Sequence, residues 1–256
     1  MLTNKNFDIN EDGYSVRCRL LTVSKNREFD RVIICTHGFG GSKDNASITK
    51  FAEKESAKHK DDAVIAFDWP CHGQDARKKL ILEECSHYIT LVVNYAKDVL
   101  KAKYIYNYSV SLGAYLTLNY IAKKGENPFT KIALRSPSIK MYELMLKNVN
   151  PNDMSKLKKG KDVMIGFERK MKVDQKFFDD LKAADITKHE YFDWADDIIM
   201  LHGTKDSTVP IEDSQAFAEN NVIEFIPVEN ADHPFKNPQY MDLAIHTIIE
   251  FFAPEE

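Results

Sequence analysis

Three side chains of this sequence have the types and surroundings needed for nucleophilic chemistry. Ser111 is the centre of Ser109-Val110-Ser111-Leu112-Gly113. This small-x-Ser-x-small pentapeptide allows a tight turn, because the residues two before and two after the serine must be small where a strand folds sharply into a helix. Ser109 could also be read as the centre, but one of its flanks would then be Asn107, which is too large, so Ser111 is the expected nucleophile. A serine hydroxyl is weakly nucleophilic at neutral pH and needs a base to take its proton and an acid to hold that base. His233, in Ala231-Asp232-His233-Pro234-Phe235, is the candidate base, and Asp206, after His202-Gly203, is the candidate acid. In this arrangement His233 Nε2 accepts the Ser111 proton while Asp206 accepts from Nδ1–H and fixes the tautomer. The resulting oxyanion needs donors. The backbone N–H groups of Leu112, at the start of a helix, and Phe39, in the glycine-rich stretch His37 to Lys43, are the expected pair.

Other groups compete for these roles. Asp232 adjoins His233, but neighbours on a turn rarely set a carboxylate against Nδ1, so it reads as a loop hydrogen-bonder. His202 reads as part of a strand end, and His37 as structural. His72, in the polar loop Asp68 to Asp75, could be a base or a metal ligand, although loop hydrogen bonds explain it more simply. The remaining histidines, His59, His87, His189 and His246, are assigned surface or core roles.

These residues can meet only if the elements between them bring loops together. Tyr104 to Tyr108 carries aromatic and β-branched residues suited to a strand, and Leu112, Ala114, Leu116, Leu118 and Ile121 suit a buried helix. Val32 to Thr36, Ala63 to Phe67 and Ile198 to Leu201 are short apolar runs of the kind expected for strands buried on both faces. Lys131 to Arg135 and Val222 to Pro227 add two more strands. Around Phe7 to Ile9 and from Tyr14 to Val23 an antiparallel hairpin is expected at one sheet edge. Helices are expected over Ala46 to His59, Leu80 to Lys101, Ile211 to Glu219 and from about Pro238 to Phe252. Alternation of strands and helices implies a mostly parallel sheet with helices on both faces, an α/β fold. In such sheets the ligand site lies beyond the carboxyl ends of the strands, where every loop named above emerges.

The stretch 139–194 breaks the alternation. It is rich in Lys, Asp and Met, with helices expected around Met141 to Leu146, Val163 to Met171 and Gln175 to Ala184. It reads as an inserted helical lid on a core formed by 1–138 and 195–256, and Tyr142, Met145, Phe167 and Tyr191 are its candidate substrate-binding residues. The run Lys156 to Lys161 could hold an anion, but a solvated surface is the better reading.

Composition sets outer limits. The chain has 256 residues, 43% of them hydrophobic, enough for one large core with a modest insertion. A formal net charge of −4 gives no footprint of nucleic-acid binding. No apolar run approaches the roughly 18 residues of a membrane span. The start lacks the apolar core of a signal peptide, and the four cysteines have no metal or redox spacing, so reduced thiols and a cytoplasmic setting are expected.

Taken together, the motifs resemble those of the α/β-hydrolase superfamily. The order Ser111, Asp206, His233 is that family's order of nucleophile, acid and histidine. His37-Gly38-Phe39-Gly40-Gly41 resembles its oxyanion loop, Asp68 to Gly73 its Asp-x-x-x-His-Gly loop, and His202-Gly203-x-x-Asp206-x-x-Val209-Pro210 its acid loop. The pattern is most similar to small bacterial cinnamoyl or feruloyl esterases and monoacylglycerol-lipase-like enzymes, which also carry an inserted lid. It departs at Ser109, where the family usually has glycine. The resemblance implies a carboxylic ester hydrolase acting on a small-molecule ester through an acyl-enzyme, with no metal or organic cofactor, and a homodimer is compatible with it. A thioesterase, an acyl-peptidase, or a ligand-binding protein on the same scaffold are the alternatives.

Overall fold

The computed structural model describes residues 1–166 and 169–253. Its centre is an eight-stranded sheet in the order β1-β2-β4-β3-β5-β6-β9-β10. β1 (Thr3–Glu11) and β2 (Tyr14–Thr22) form the expected edge hairpin, and β2 also runs antiparallel to β4 (Ala63–Phe67). β3 (Arg31–Thr36), β4, β5 (Tyr104–Val110), β6 (Lys131–Arg135), β9 (Ile198–Gly203) and β10 (Glu224–Val228) run parallel to one another.

The central strands are apolar along their whole length because both faces are covered. Every residue of β3 is buried. Val32 and Ile34 face one core, while Ile33 and Cys35 face the other, as the two-residue period of a strand requires. One face packs against α1 (Ala46–Lys58) and α8 (Pro238–Phe251) through Phe51, Ala244, Ile245 and Ile248. The other packs against α2 (Leu82–Asn94), α3 (Leu112–Lys124) and α7 (Ile211–Asn221). At the amino ends of the strands Arg31 is buried, and its guanidinium pairs with Glu55 and Asp62 and donates to Phe252 O at 2.6 Å. This ties α1 and α8 to the sheet.

The chain leaves β3 toward β4 on one side and reaches β5 on the other, so the direction of progression reverses between β3 and β5. Loops that follow two such strands diverge and leave a crevice at their carboxyl ends. The loops after β3 and β5 carry Phe39 and Ser111.

Two stretches differ from the sequence expectation. The helix expected over Leu80 to Lys101 ends at Asn94 and continues as one wider π-turn, Tyr95–Val99, closed by Leu100 N–H donating to Tyr95 O at 3.1 Å. Between β6 and β9 lie α4 (Met141–Leu146), α5 (Pro151–Lys158), β7 (Val163–Ile165), β8 (Met171–Val173) and α6 (Gln175–Ala183). The helix expected over Val163 to Met171 is instead the antiparallel β7–β8 hairpin. Val163 and Ile165 are buried while Met164 is exposed, a period of two, and Gly166 at φ 118° cannot continue a helix. The stretch between β6 and β9 is therefore mixed rather than wholly helical. α5 was not anticipated, although Asn150 caps it and Pro151 opens it in the standard way. The lysines beside buried Leu157 are exposed.

Candidate active site

Ser111 occupies the turn between β5 and α3 with φ 54° and ψ −114°. A residue with a Cβ rarely adopts this conformation, and the surroundings hold it there. The Ser111 N–H donates to Arg135 O at 3.0 Å, and Tyr115 N–H, one turn into α3, donates to Ser111 O at 3.2 Å. Two glycines make room for the turn. A Cβ on Gly113 would overlap Thr36 Oγ1, and one on Gly38 would stand 3.1 Å from Ser111 Cβ. Ser111 is the N-cap residue of α3, yet its side chain caps nothing. The hydroxyl is left free to turn outward.

It turns to His233. Ser111 Oγ lies 3.1 Å from His233 Nε2, and His233 Nδ1 lies 2.6 Å from Asp206 Oδ2. A carboxylate can only accept, so Nδ1 carries the proton and Nε2 is the acceptor for the serine hydroxyl. Asp206 is held on its other side as well. Its Oδ1 accepts from Thr208 N–H and Val209 N–H, both at 2.8 Å, and His202 Nε2 lies 3.0 Å from Oδ2. Burial pushes the Asp206 carboxyl upward, but the hydrogen bonds from His202, His233 and Val209 N–H outweigh it and hold the group well below the usual carboxylate range. Asp206 is thus a fixed anion against His233. The structure brings together the three residues on which the sequence reading placed its chemistry.

Phe39 and Leu112 both line the cavity in which Ser111 opens. Gly41 N–H donates to Gly38 O at 3.1 Å and closes the turn that carries Phe39. The cavity has a volume of about 620 Å³. Met141, Leu144 and Met145 of α4 form part of its wall, the i, i+3, i+4 face of that helix. Met145, a candidate substrate-binding residue, therefore lines the cavity. Tyr142 does not, because it falls on a different face of α4, in a cleft with α6, with Lys182 Nζ 5.9 Å from its ring. Tyr191 is also displaced from the expectation. It is fully buried in the core against Phe217, and its hydroxyl donates to Leu118 O at 3.2 Å. Phe167 lies outside the described residues.

The competing histidines have other work. His37 is buried with Nδ1 2.8 Å from Gly38 O, and burial pushes it down to about 4. His72 sits 2.9 Å from Pro70 O, and burial, with His37 nearby, pushes it down to about 3. Both are neutral supports of the loops around Phe39. Asp232 accepts from Lys236 N–H at 2.8 Å, within its own loop. Three neighbours of the site were not expected from sequence. Ser138 Oγ lies 3.2 Å from Ser111 Oγ, His202 backs Asp206, and Ser136 Oγ donates to His233 O at 3.1 Å. Ser136 and Ser138 follow a strand end as ordinary loop residues, so nothing in the sequence singles them out.

No protein-family model matches the chain, and no curated protein matches it by sequence. Solved structures do. Est1E from Butyrivibrio proteoclasticus, determined with ferulic acid bound, superposes with a TM-score of 0.77 at 19% identity, covering 96% of this chain and 97% of that one.

The chain has the α/β-hydrolase fold.

Two more structures with this fold extend the likeness. Mouse alpha/beta hydrolase domain-containing protein 10 gives a TM-score of 0.72 at 16% identity, covering 96% of this chain and 97% of that one. The Pyrococcus furiosus esterase Pf2001 gives 0.68 at 17% identity, covering 98% and 92%. The α/β-hydrolase fold implied by the motifs is thus matched in three dimensions. In this α/β-hydrolase fold the turn after β5, the loops after β9 and β10 and the loop after β3 all converge on one cavity. No described helix is long and apolar enough to cross a membrane.

Proposed function

We propose that this protein is a serine hydrolase that cleaves carboxylic esters, with Ser111 as nucleophile, His233 as base and Asp206 as the acid that orients it. The relay of 3.1 Å and 2.6 Å contacts on a strained strand-to-helix turn carries the reading. His233 takes the Ser111 proton as Oγ attacks the ester carbonyl. The oxyanion forms against the N–H groups of Phe39 and Leu112. His233 then gives the proton to the leaving alcohol, and an acyl-enzyme remains. Water, deprotonated by His233, attacks it and releases the acid. These steps use protein groups and water.

Residues 139–194 serve as a lid over a core of 1–138 and 195–256, and Met141, Leu144 and Met145 bring its apolar surface to the substrate. The esterases among the similar structures support esters as the first substrates to test. Buried free thiols at Cys18, Cys35, Cys71 and Cys85 support a reducing, cytoplasmic setting.

Labelling with a fluorophosphonate probe followed by peptide mapping tests the reading. The expected adduct is on Ser111 and is lost in Ser111→Ala and His233→Ala. A folded protein that stays unlabelled and turns over no ester would remove the hydrolase reading.

A further inference from the structure

The cavity over Ser111 has a one-sided charge. Among the described residues that line it, Arg135 and Lys147 are cationic and none is Asp or Glu. This is notable in a chain with 39 acidic residues against 35 Lys and Arg. Arg135 ends β6 and is 3% exposed. Its carbonyl holds Ser111 N–H, so the residue is anchored directly beside the nucleophile. Its guanidinium donates to the Tyr108 hydroxyl at 2.9 Å and to Pro234 O at 3.1 Å, and lies 5.0 Å from the Phe235 ring. None of these partners is an anion.

A buried charge without a counter-charge is expensive, and the other buried Lys and Arg side chains among the described residues avoid it. Arg19 lies 3.9 Å from Asp44, Arg31 pairs with Glu55 and Asp62, and Lys43 lies 2.9 Å from Asp44 and 3.7 Å from Asp68. Among the described residues, Arg135 is the buried cation with no carboxylate within 4.0 Å. Its ring partners Tyr108 and Phe235 belong to the core on the α1–α8 side, whereas Met141 and Met145 belong to the core on the other side. The cavity therefore has a polar, cationic arm and an apolar arm. Asn45 and Ser47, at the amino end of α1, line the cavity as well, and a helix N-terminus favours negative charge.

We infer that the ester cleaved at Ser111 carries an anionic group, a carboxylate or a phosphate, that pairs with Arg135 while the apolar part of the molecule packs on α4. The inference rests on the esterase reading and narrows its substrate class. The anion supplies the counter-charge that Arg135 lacks, and exposed Lys147 adds attraction that salt screens.

Matched substrates test it. On the acyl side, the 4-nitrophenyl monoester of glutaric acid is compared with the same compound capped as its methyl ester. On the alcohol side, the butyryl ester of 3-hydroxybenzoate is compared with that of its methyl ester. Butyryl glycerol 3-phosphate against monobutyrin separates phosphate from carboxylate. In at least one pair the anionic member should show kcat/KM higher by about tenfold or more, the scale of a charge-assisted contact, expressed mainly in KM. That ratio should fall toward one in Arg135→Gln, and should shrink with added salt and in Lys147→Gln. A ratio is insensitive to the fraction of a variant that folds. Equal turnover of both members of every pair by the wild type, or a ratio that survives Arg135→Gln, would leave Arg135 as a strut for the His233 loop and overturn the inference. If the wild type neither labels nor turns over any ester, the esterase reading fails instead. Calorimetric titration with glutarate and with inorganic phosphate then decides the remaining point. Saturable binding that is lost in Arg135→Gln supports the anion site, and no binding overturns it.

Discussion

The Ser109 hydroxyl replaces the absence of a side chain with a buried network. It accepts from Thr36 Oγ1 at 2.8 Å, donates to Asn107 Oδ1 at 2.6 Å and lies 2.9 Å from Thr117 Oγ1, joining β3, β5 and α3 beneath the turn that carries Ser111. Removing one member of such a network strands its partners, at about 1–3 kcal/mol. Ser109→Ala should therefore lower stability by about that amount in urea titration while keeping fluorophosphonate labelling at Ser111. Loss of labelling in a folded Ser109→Ala would place the nucleophile at 109. Asp206→Asn should leave the fold intact and lower kcat/KM for esters by about 10³–10⁴-fold, because the amide can present the wrong tautomer of His233. A loss below tenfold would remove Asp206 from its assigned role. At this scale Ser111, Asp206 and His233 were legible because each sits in a strand-end loop with a recognisable neighbourhood. Ser138, His202 as a partner of Asp206, and Arg135 were not, since their roles exist only once separate strands lie side by side.

Among the elements, α4 gives the cavity its apolar wall, and its geometry sorts the candidates that sequence could only name together. Met145 and Tyr142 are three positions apart, yet one faces the cavity and the other faces α6. Met145→Trp adds bulk to that wall and should lower kcat/KM for octanoyl relative to acetyl 4-nitrophenyl esters by about tenfold, the order expected from filling a hydrophobic pocket. An unchanged chain-length profile would argue against α4 as the acyl wall. Strands and helices of the core were readable because burial on two faces or one writes a clear period into the residues. The β7–β8 hairpin was not. Three-residue strands carry too few positions to separate a period of two from one of 3.6, and Gly166 at φ 118° is the decisive feature. The π-turn after α2 is likewise invisible in a helical pattern that continues through it.

For the molecule as a whole, acid stability follows from the two loop histidines. His37 and His72 are neutral in the fold, pushed by burial to about 4 and about 3. An unfolded histidine takes up a proton near pH 6.5. Between those limits the unfolded chain binds more protons, so the stabilisation is complete above pH 6.5 and is lost as pH falls toward 4 and 3. Glu55 works in the opposite sense. Burial and the neighbouring Asp62 raise its carboxyl against the pull of Arg31, so its contribution fades as pH rises. A comparison of variants separates the two. His72→Asn should be less stable at pH 7 and should lose less stability than wild type between pH 6.5 and 4. A parallel decline in both proteins would show that His72 does not control the slope. The α/β architecture itself was legible at this scale, because alternating buried strands and helices leave few alternatives. The strand order, with its reversal between β3 and β5, emerged only from the pairing.

The backbone of Ser111 at φ 54° and ψ −114° has an evolutionary reading. Selection for folding alone would discard a residue with a Cβ at that position, so its presence marks a place where something other than stability was selected. The strain there, about 1–3 kcal/mol, should be recoverable. Ser111→Gly relaxes the turn and Ser111→Ala does not, although both remove the hydroxyl. Of two equally inactive proteins, the glycine variant should melt higher, even after the larger entropy of its unfolded chain offsets about 1 kcal/mol. The sequence best suited to this fold and the sequence suited to its chemistry differ at residue 111.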